Sequence, residues 1–160
     1  MASYRATCDW TLDAPGEDFL KGRYPRAHSV AFGSGVEVPG TASHHVIGNR
    51  WAAPNSVDPE EMLVGSISQC HMLSFLHVAR EAGFVATRYR DAAEGVMTER
   101  EDGEMWVSRV ALRPQIAWDG RAPTPAELDA LHEKAHHICF IANSVKTEIV
   151  VEAHEAATPN

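Results

Sequence analysis

The stretch Asp58 to Gly83, DPEEMLVGSISQCHMLSFLHVAREAG, limits what this chain can fold into more than any other. Both of its ends carry helix signals. Asp58 is an N-cap residue, Pro59 suits the first helical turn, and Glu61 follows Asp58 at capping-box spacing. Gly83 is a natural C-terminal stop. Between them Met62, Leu63, Val64, Ile67, Met72, Leu73, Phe75, Leu76, Val78 and Ala79 cover more than one face. A helix apolar on most sides is predicted to be buried. Roughly 25 residues at about 1.5 Å each would reach across a bilayer. Against that stand Glu60, Glu61, Ser66, Ser68, Gln69, His71, His77, Arg80 and Glu81, so the stretch reads as the central helix of a soluble domain. Cys70 and His71 sit at its middle, among Gly65, Ser66, Ser68, Gln69 and Ser74. Small residues on a buried helix allow close approach of another element, including a second copy of itself.

A chain of 160 residues, 44% of them hydrophobic, suits a single domain over residues 1–160 with a real core. Its net charge of −8 argues against nonspecific nucleic-acid binding and against anionic membrane surfaces. The start, MASYRATCDW, has no apolar signal core, so a cytoplasmic location is expected. Three cysteines, Cys8, Cys70 and Cys139, are too few and too far apart for a disulfide scaffold. In a reducing compartment each reads as a buried thiol, a redox centre or a metal ligand.

The flanking elements follow from period and punctuation. Tyr4 to Leu12 alternates and predicts a half-buried strand with Cys8 as a small core residue. Asp13 to Gly22 reads as a turn region. Ser29 to Phe32, a turn at Gly33 to Gly35, and Val36 to Val38 read as a hairpin. Thr41 to Val57 is a long irregular loop, and such loops are often functional. Val85 to Met97 reads as strand and Thr98 to Gly103 as a charged turn. Glu104 to Trp118 predicts one long strand, with Pro114 at a sheet edge or a bulge. Thr124, Pro125 and Glu127 open a second helix with another capping box. Cys139 to Ser144 closes that helix or begins a short new one. Thr147 to Ala153 is a final strand, and His154 to Asn160 a frayed tail. Helices segregated from mainly antiparallel strands mean α+β.

The chemistry converges on Cys70 and Cys139, each on or beside a helix. Taken alone, each is an ordinary buried thiol. Gln69 and His71 flank Cys70, and His136 and His137 precede Cys139, so the settings are not purely apolar. Thiols on two packed helices could reach disulfide distance. A thiolate favoured by a nearby cation attacks a peroxide oxygen, becomes a sulfenic acid, and is resolved by the second thiol. Cys70-His71 with His136-His137-x-Cys139 also permits a metal reading, although the spacing is not that of a zinc finger. A Cys/His hydrolase lacks an oxyanion-hole signature here. His132 and His136 share a helical face that reads equally well as solvated. His71 points away from its neighbour Cys70 and either tunes the site or bonds a backbone carbonyl. Met72, Phe75, Leu76, Phe140 and Ile141 read as core, some lining an apolar entry.

DPEEMLVGSISQCH (Asp58 to His71) and the region Ala135 to Ser144 together resemble the OsmC/Ohr family of thiol-dependent hydroperoxide reductases. The resemblance runs from about Tyr24 to Glu152. CHMLSFL and CFIANS are similar to an OsmC-like subgroup, with Phe140 where typical Ohr members have proline. The resemblance implies an intertwined homodimer with its site at the subunit interface. It implies Cys70 as peroxidatic cysteine, Cys139 as resolving cysteine and Glu60 as catalytic glutamate. Its catalytic arginine falls on Arg26, in YPRAH, with Arg23 as the competitor. Glu60 would hold the guanidinium in bidentate geometry. Ten residues of straight helix, about 15 Å, separate Glu60 from Cys70, so either the first turn bends away or Glu60 serves Cys70 of a partner. The implied activity is reduction of organic or fatty-acid hydroperoxides. It needs no metal or prosthetic group, only an external dithiol or lipoyl-type reductant. A non-catalytic module that binds a small molecule or senses redox state is the alternative.

Overall fold

The computed structural model describes residues 1–152. Ala153 and the tail expected over 154–160 lie outside the described residues. The chain divides into two compact units, Met1–Met62 and a second that begins at Leu63.

The first unit holds β1 (Ala6–Asp9), α1 (Gly16–Leu20), β2 (His28–Phe32), β3 (Glu37–Gly40) and α2 (His44–Ile47). Its strands form an antiparallel sheet in the order β1-β2-β3, with Cys8 opposite Val30 and Val30 opposite Val38. The turn between β2 and β3 closes at Gly35, whose φ of +86° suits a residue without Cβ. β1 is an edge strand and every one of its residues is exposed. Cys8 is therefore an exposed thiol and not a core residue. Alternation alone marked a half-buried strand, but a strand is half-buried only where something lies on one of its faces. The expected turn region holds the short helix α1, and the long loop holds α2. That loop is tied down by the Ala53 N–H donating to Thr41 Oγ1 at 2.8 Å and by a parallel bridge between Gly40 and Val57.

α3 (Pro59–Glu81) is one continuous helix of 23 residues. Its capping box forms as read: the Glu61 N–H donates to Asp58 Oδ1 at 2.8 Å and the Asp58 N–H to Glu61 Oε2 at 3.3 Å. It stops at Gly83, φ +81°, with the Phe84 N–H turning back to the Ala79 carbonyl. Only one stripe is buried: Ile67, His71, Phe75, Val78 and Ala79. By length and hydropathy the helix does reach the range of a membrane span, with a mean hydropathy of 1.2 over its best window. Its polar residues do not separate the two cases, and the burial expected on most sides is corrected to this one stripe, whose apolar members pack into two hydrophobic clusters.

The second unit continues with β4 (Val85–Asp91), β5 (Glu94–Glu99), β6 (Met105–Leu112), β7 (Pro114–Asp119), α4 (Pro125–Ile138), a 3-10 turn (Ala142–Ser144) and β8 (Glu148–Val151). The segments expected as Val85 to Met97 and Glu104 to Trp118 are each two strands. β4 pairs with β7 and β5 with β6, both antiparallel, and the pairs Asp91–Pro114 and Glu94–Ala111 continue one register. The four strands are thus one long hairpin broken at its middle. Pro114 lacks an N–H to extend the ladder. Asp91 fixes the break: Oδ1 accepts from the Arg113 N–H at 2.6 Å, and Oδ2 accepts from Ser68 Oγ on α3. β8 adds to β6 in parallel, completing a sheet in the order β5-β6-β8.

The break separates two clusters. Phe75, Val78, Ala79 and Phe84 pack with Leu131 and Ala135 of α4, and with Tyr89 and Trp118. Ile67 packs with Val110 and Leu112, and with Leu63, Val64 and Ile149. The first cluster joins α4 to α3, and the Cys139 end of α4 meets the middle of α3 at Cys70. The architecture is α+β with mainly antiparallel strands.

Candidate active site

α4 is positioned from both ends. At its start Thr124 Oγ1 accepts from the Glu127 N–H while Glu127 Oε2 accepts from the Thr124 N–H, and Arg121 grips the Glu127 carboxylate through both of its terminal nitrogens. This pairing holds Glu127 down at about 2, through the Arg121 hydrogen bond first and the Thr124 bonds second. At its end Cys139 is the C-cap, with extended backbone. The last carbonyls of a helix lack intrahelical partners. The Asn143 side-chain amide supplies them, donating to the carbonyls of His137 at 2.9 Å and Cys139 at 3.0 Å. The chain after Cys139 is thereby curled back into the 3-10 turn.

That curl places the two cysteines together. Cys139 Sγ donates to Cys70 Sγ across 2.8 Å, and both thiols are free. A disulfide at about 2.04 Å needs less than an ångström of further approach. Two backbone donors face the pair: the Ile141 N–H toward Cys70 Sγ at 3.5 Å and the Ala142 N–H toward Cys139 Sγ at 3.4 Å. The sulfurs differ in surroundings. Cys139 is buried, at 1% exposure, while Cys70 is half-buried. Burial first, and the hydrogen bond to Cys70 second, push the Cys139 thiol up to about 11; the Ala142 N–H works the other way. A thiol that keeps its proton is a poor first nucleophile and a good hydrogen-bond donor to its neighbour. The arrangement suits attack from Cys70 and resolution by Cys139.

The other expected site residues fall as follows. Glu60 stands in the first turn of α3; its Oε2 is buried with no hydrogen-bond partner among the described residues. Arg26, in the first unit, donates to the carbonyls of Gly22 and Tyr24, and its guanidinium lies 3.6 Å over the Tyr24 ring. Arg23 is exposed. Met72 is half-buried, whereas Phe140 is 82% exposed, so of its two expected places, core or apolar entry, the core is corrected. Phe140 follows the backbone that turns at Cys139, and the described residues leave it uncovered. His71 is buried, and its Nε2 lies 3.0 Å from His132 Nδ1; the expected backbone carbonyl partner is replaced by a second imidazole. His132 is 4% exposed, which corrects its reading as part of a solvated face, and only His136 of that pair is exposed. Burial, then the positive charge of His136, lower His71 to about 4, while Asp91 pulls weakly upward.

Three contributors were not singled out in the sequence: the amides of Ile141 and Ala142, and Asn143. The amides leave no signal, because any residue has one. Asn143 left one, since an Asn just past a helix end caps carbonyls, and in CFIANS it stands four residues after Cys139. No group of three or more His, Cys, Asp or Glu with metal-holding geometry occurs among the described residues.

A model of the OsmC-like protein family matches residues 52–154. An OsmC-like protein of unknown function from Vibrio cholerae is 38% identical, over 95% of this chain and 99% of that one, with a TM-score of 0.88. An organic hydroperoxide resistance protein from Elizabethkingia anophelis has a TM-score of 0.70 at 19% identity, covering 99% of this chain and 98% of its own. The organic hydroperoxide resistance protein OhrB of Bacillus subtilis has a TM-score of 0.67 at 14% identity, covering 96% and 98%. Among curated proteins no sequence match is found.

Proposed function

Because this chain belongs to the OsmC-like protein family, we propose that it is a thiol-dependent peroxidase for organic hydroperoxides. The observation that carries the reading is the 2.8 Å between the free thiols of Cys70 and Cys139, one half-exposed and the other buried and held protonated. The Cys70 thiolate attacks the distal oxygen of the hydroperoxide. The O–O bond breaks, the alcohol leaves with a proton, and Cys70 becomes a sulfenic acid. Cys139 attacks that sulfur, water leaves, and a disulfide forms. An external dithiol, of dithiothreitol or dihydrolipoyl type, returns both thiols and is itself oxidised to a disulfide. No prosthetic group or metal takes part.

In this reading Arg26, or Arg23 in its place, supplies the cation that favours the thiolate. Glu60 orients it by bidentate pairing. The buried Glu60 Oε2, without a hydrogen-bond partner among the described residues, supports that role, because a buried carboxylate oxygen calls for a donor. A homodimer, in which a second copy shares the site, is part of the same reading, as is a cytoplasmic setting where a dithiol pool exists. In this reading Met72 and the exposed Phe140 supply apolar surface suited to alkyl or fatty-acid hydroperoxides over hydrogen peroxide.

The test is consumption of cumene hydroperoxide with dithiothreitol or dihydrolipoamide as reductant. Turnover is expected in the native protein and absent in Cys70→Ser, with sulfenic acid accumulating in Cys139→Ser. A native protein idle with every dithiol tried would instead point to a ligand-binding or redox-sensing module. The family resemblance to a protein of unknown function favours keeping that second reading in the experiment.

A further inference from the structure

We infer that the buried His71–His132 pair is a positioning device that sets the register of the two cysteine-bearing helices and so brings the sulfurs within bonding reach. The inference rests on Cys70 and Cys139 being redox partners.

The pair joins the two elements that carry the thiols. His71 follows Cys70 on α3, and His132 lies two helical turns before Cys139 on α4. Both rings are nearly inaccessible, at 1% and 4% exposure. Their planes are 11° apart, with Nε2 of one 3.0 Å from Nδ1 of the other. Phe75 stacks on His132 at 4.3 Å between centroids, which fixes the tilt of that ring. The apolar cluster that joins α3 and α4 around it includes Phe75, Val78, Ala79, Leu131 and Ala135, with Leu128 packed against it. Such apolar packing is non-directional and admits small slides along the helix axis. A single N–H···N bond does not, because it weakens steeply with distance and angle. Two imidazoles in a hydrocarbon setting are also harder to bury than two apolar residues of that size. Their presence is explained if what they contribute is register and not burial. The tolerance is narrow: a slide of one ångström would carry the sulfurs from 2.8 Å toward a separation where ring closure is slow.

The test is the equilibrium of the protein dithiol with glutathione, in a Cys8→Ser background to remove the exposed thiol. Glutathione disulfide takes two electrons from the protein thiols, giving the Cys70–Cys139 disulfide and two molecules of reduced glutathione. The ratio reports the effective concentration of one thiol at the other. His132→Phe keeps a stacked ring and loses the bond; about a tenfold fall is expected, the scale of one net hydrogen bond. His132→Gln can still pair and is expected within about threefold of native on the same scale. Leu128→Ala weakens α4 packing without touching the pair, and is expected to lower stability but leave the ratio. The reading is overturned if His132→Phe leaves the ratio within twofold, or if Leu128→Ala lowers it equally at equal stability. Should His132→Phe not fold, imidazole nitrogen NMR on the native dithiol decides: one pyrrole-type and one pyridine-type nitrogen sharing a proton supports the pair, and two independently averaging rings sink it. A native protein idle toward hydroperoxides but showing this order of variants would remove the peroxidase reading and support this one.

Discussion

The protonation of Cys139 can be measured directly, and the division of labour between the two thiols depends on it. Its pKa is raised from 9.0 to about 11, first by burial and then by its hydrogen bond to Cys70. Only the thiolate reacts with an alkylating agent. A shift of about two units means that about a hundredfold less thiolate is present at neutral pH. The expected result is that iodoacetamide labels Cys139 in the folded dithiol protein at least about a hundredfold more slowly than the same residue in urea, a factor fixed by that shift. Its labelling rate should keep rising tenfold per pH unit through pH 9 and level only near 11. Peptide mapping by mass spectrometry separates Cys139 from Cys70 and from the exposed Cys8. In Cys70→Ala the plateau should move down but stay above that of the unfolded chain, since burial is the larger cause and remains. A folded-state profile that levels at or below the unfolded one would refute the reasoning. So would Cys139 labelling ahead of Cys70, because the buried thiol would then be the better nucleophile.

Two further outcomes follow from the packing. His71 is lowered from 6.5 to about 4 in the fold, so between those values the unfolded chain binds more protons. Stability is then full above pH 6.5 and lost as pH falls toward 4, by up to roughly 3 kcal/mol; urea unfolding at pH 7, 5 and 4 should show this slope, and His71→Gln should flatten it. Gly95→Ala would place a Cβ 2.5 Å from Val64 Cγ2, in the cluster around Ile67 and Val110. Valine has little rotamer freedom with which to yield, so a loss of about 1–3 kcal/mol is expected on thermal unfolding, and an unchanged melting temperature would show that this cluster is looser than it looks.

Local chemistry made some of this legible from the residues alone. The Asp58 and Thr124 capping boxes, the Gly83 stop and the hairpin at Gly35 are decided by neighbours within a few positions. The sequence therefore marks both ends of α3 and the start of α4, leaving the end of α4 open between Cys139 and Ser144, and the resemblance carried by the residues around Cys70 and Cys139 marks the pair of thiols. Exposure was not legible in the same way. Cys8 on the apolar side of an alternating stretch and Phe140 in apolar sequence face outward, and His132 in polar sequence faces inward, because each depends on what lies opposite.

The sequence by itself determined the two helices, both ends of α3 and the start of α4, since caps and periodicity act over one or two turns, and it singled out the two sulfurs only through the resemblance around them. Only the tertiary structure decided the break at Asp91 and Pro114, the parallel placement of β8, the pairing of His71 with His132 and the 2.8 Å between Cys70 and Cys139. The cysteines are 69 positions apart and the histidines 61. Over such separations the chain has no local preference to express, and distances are set by how two amphipathic faces pack.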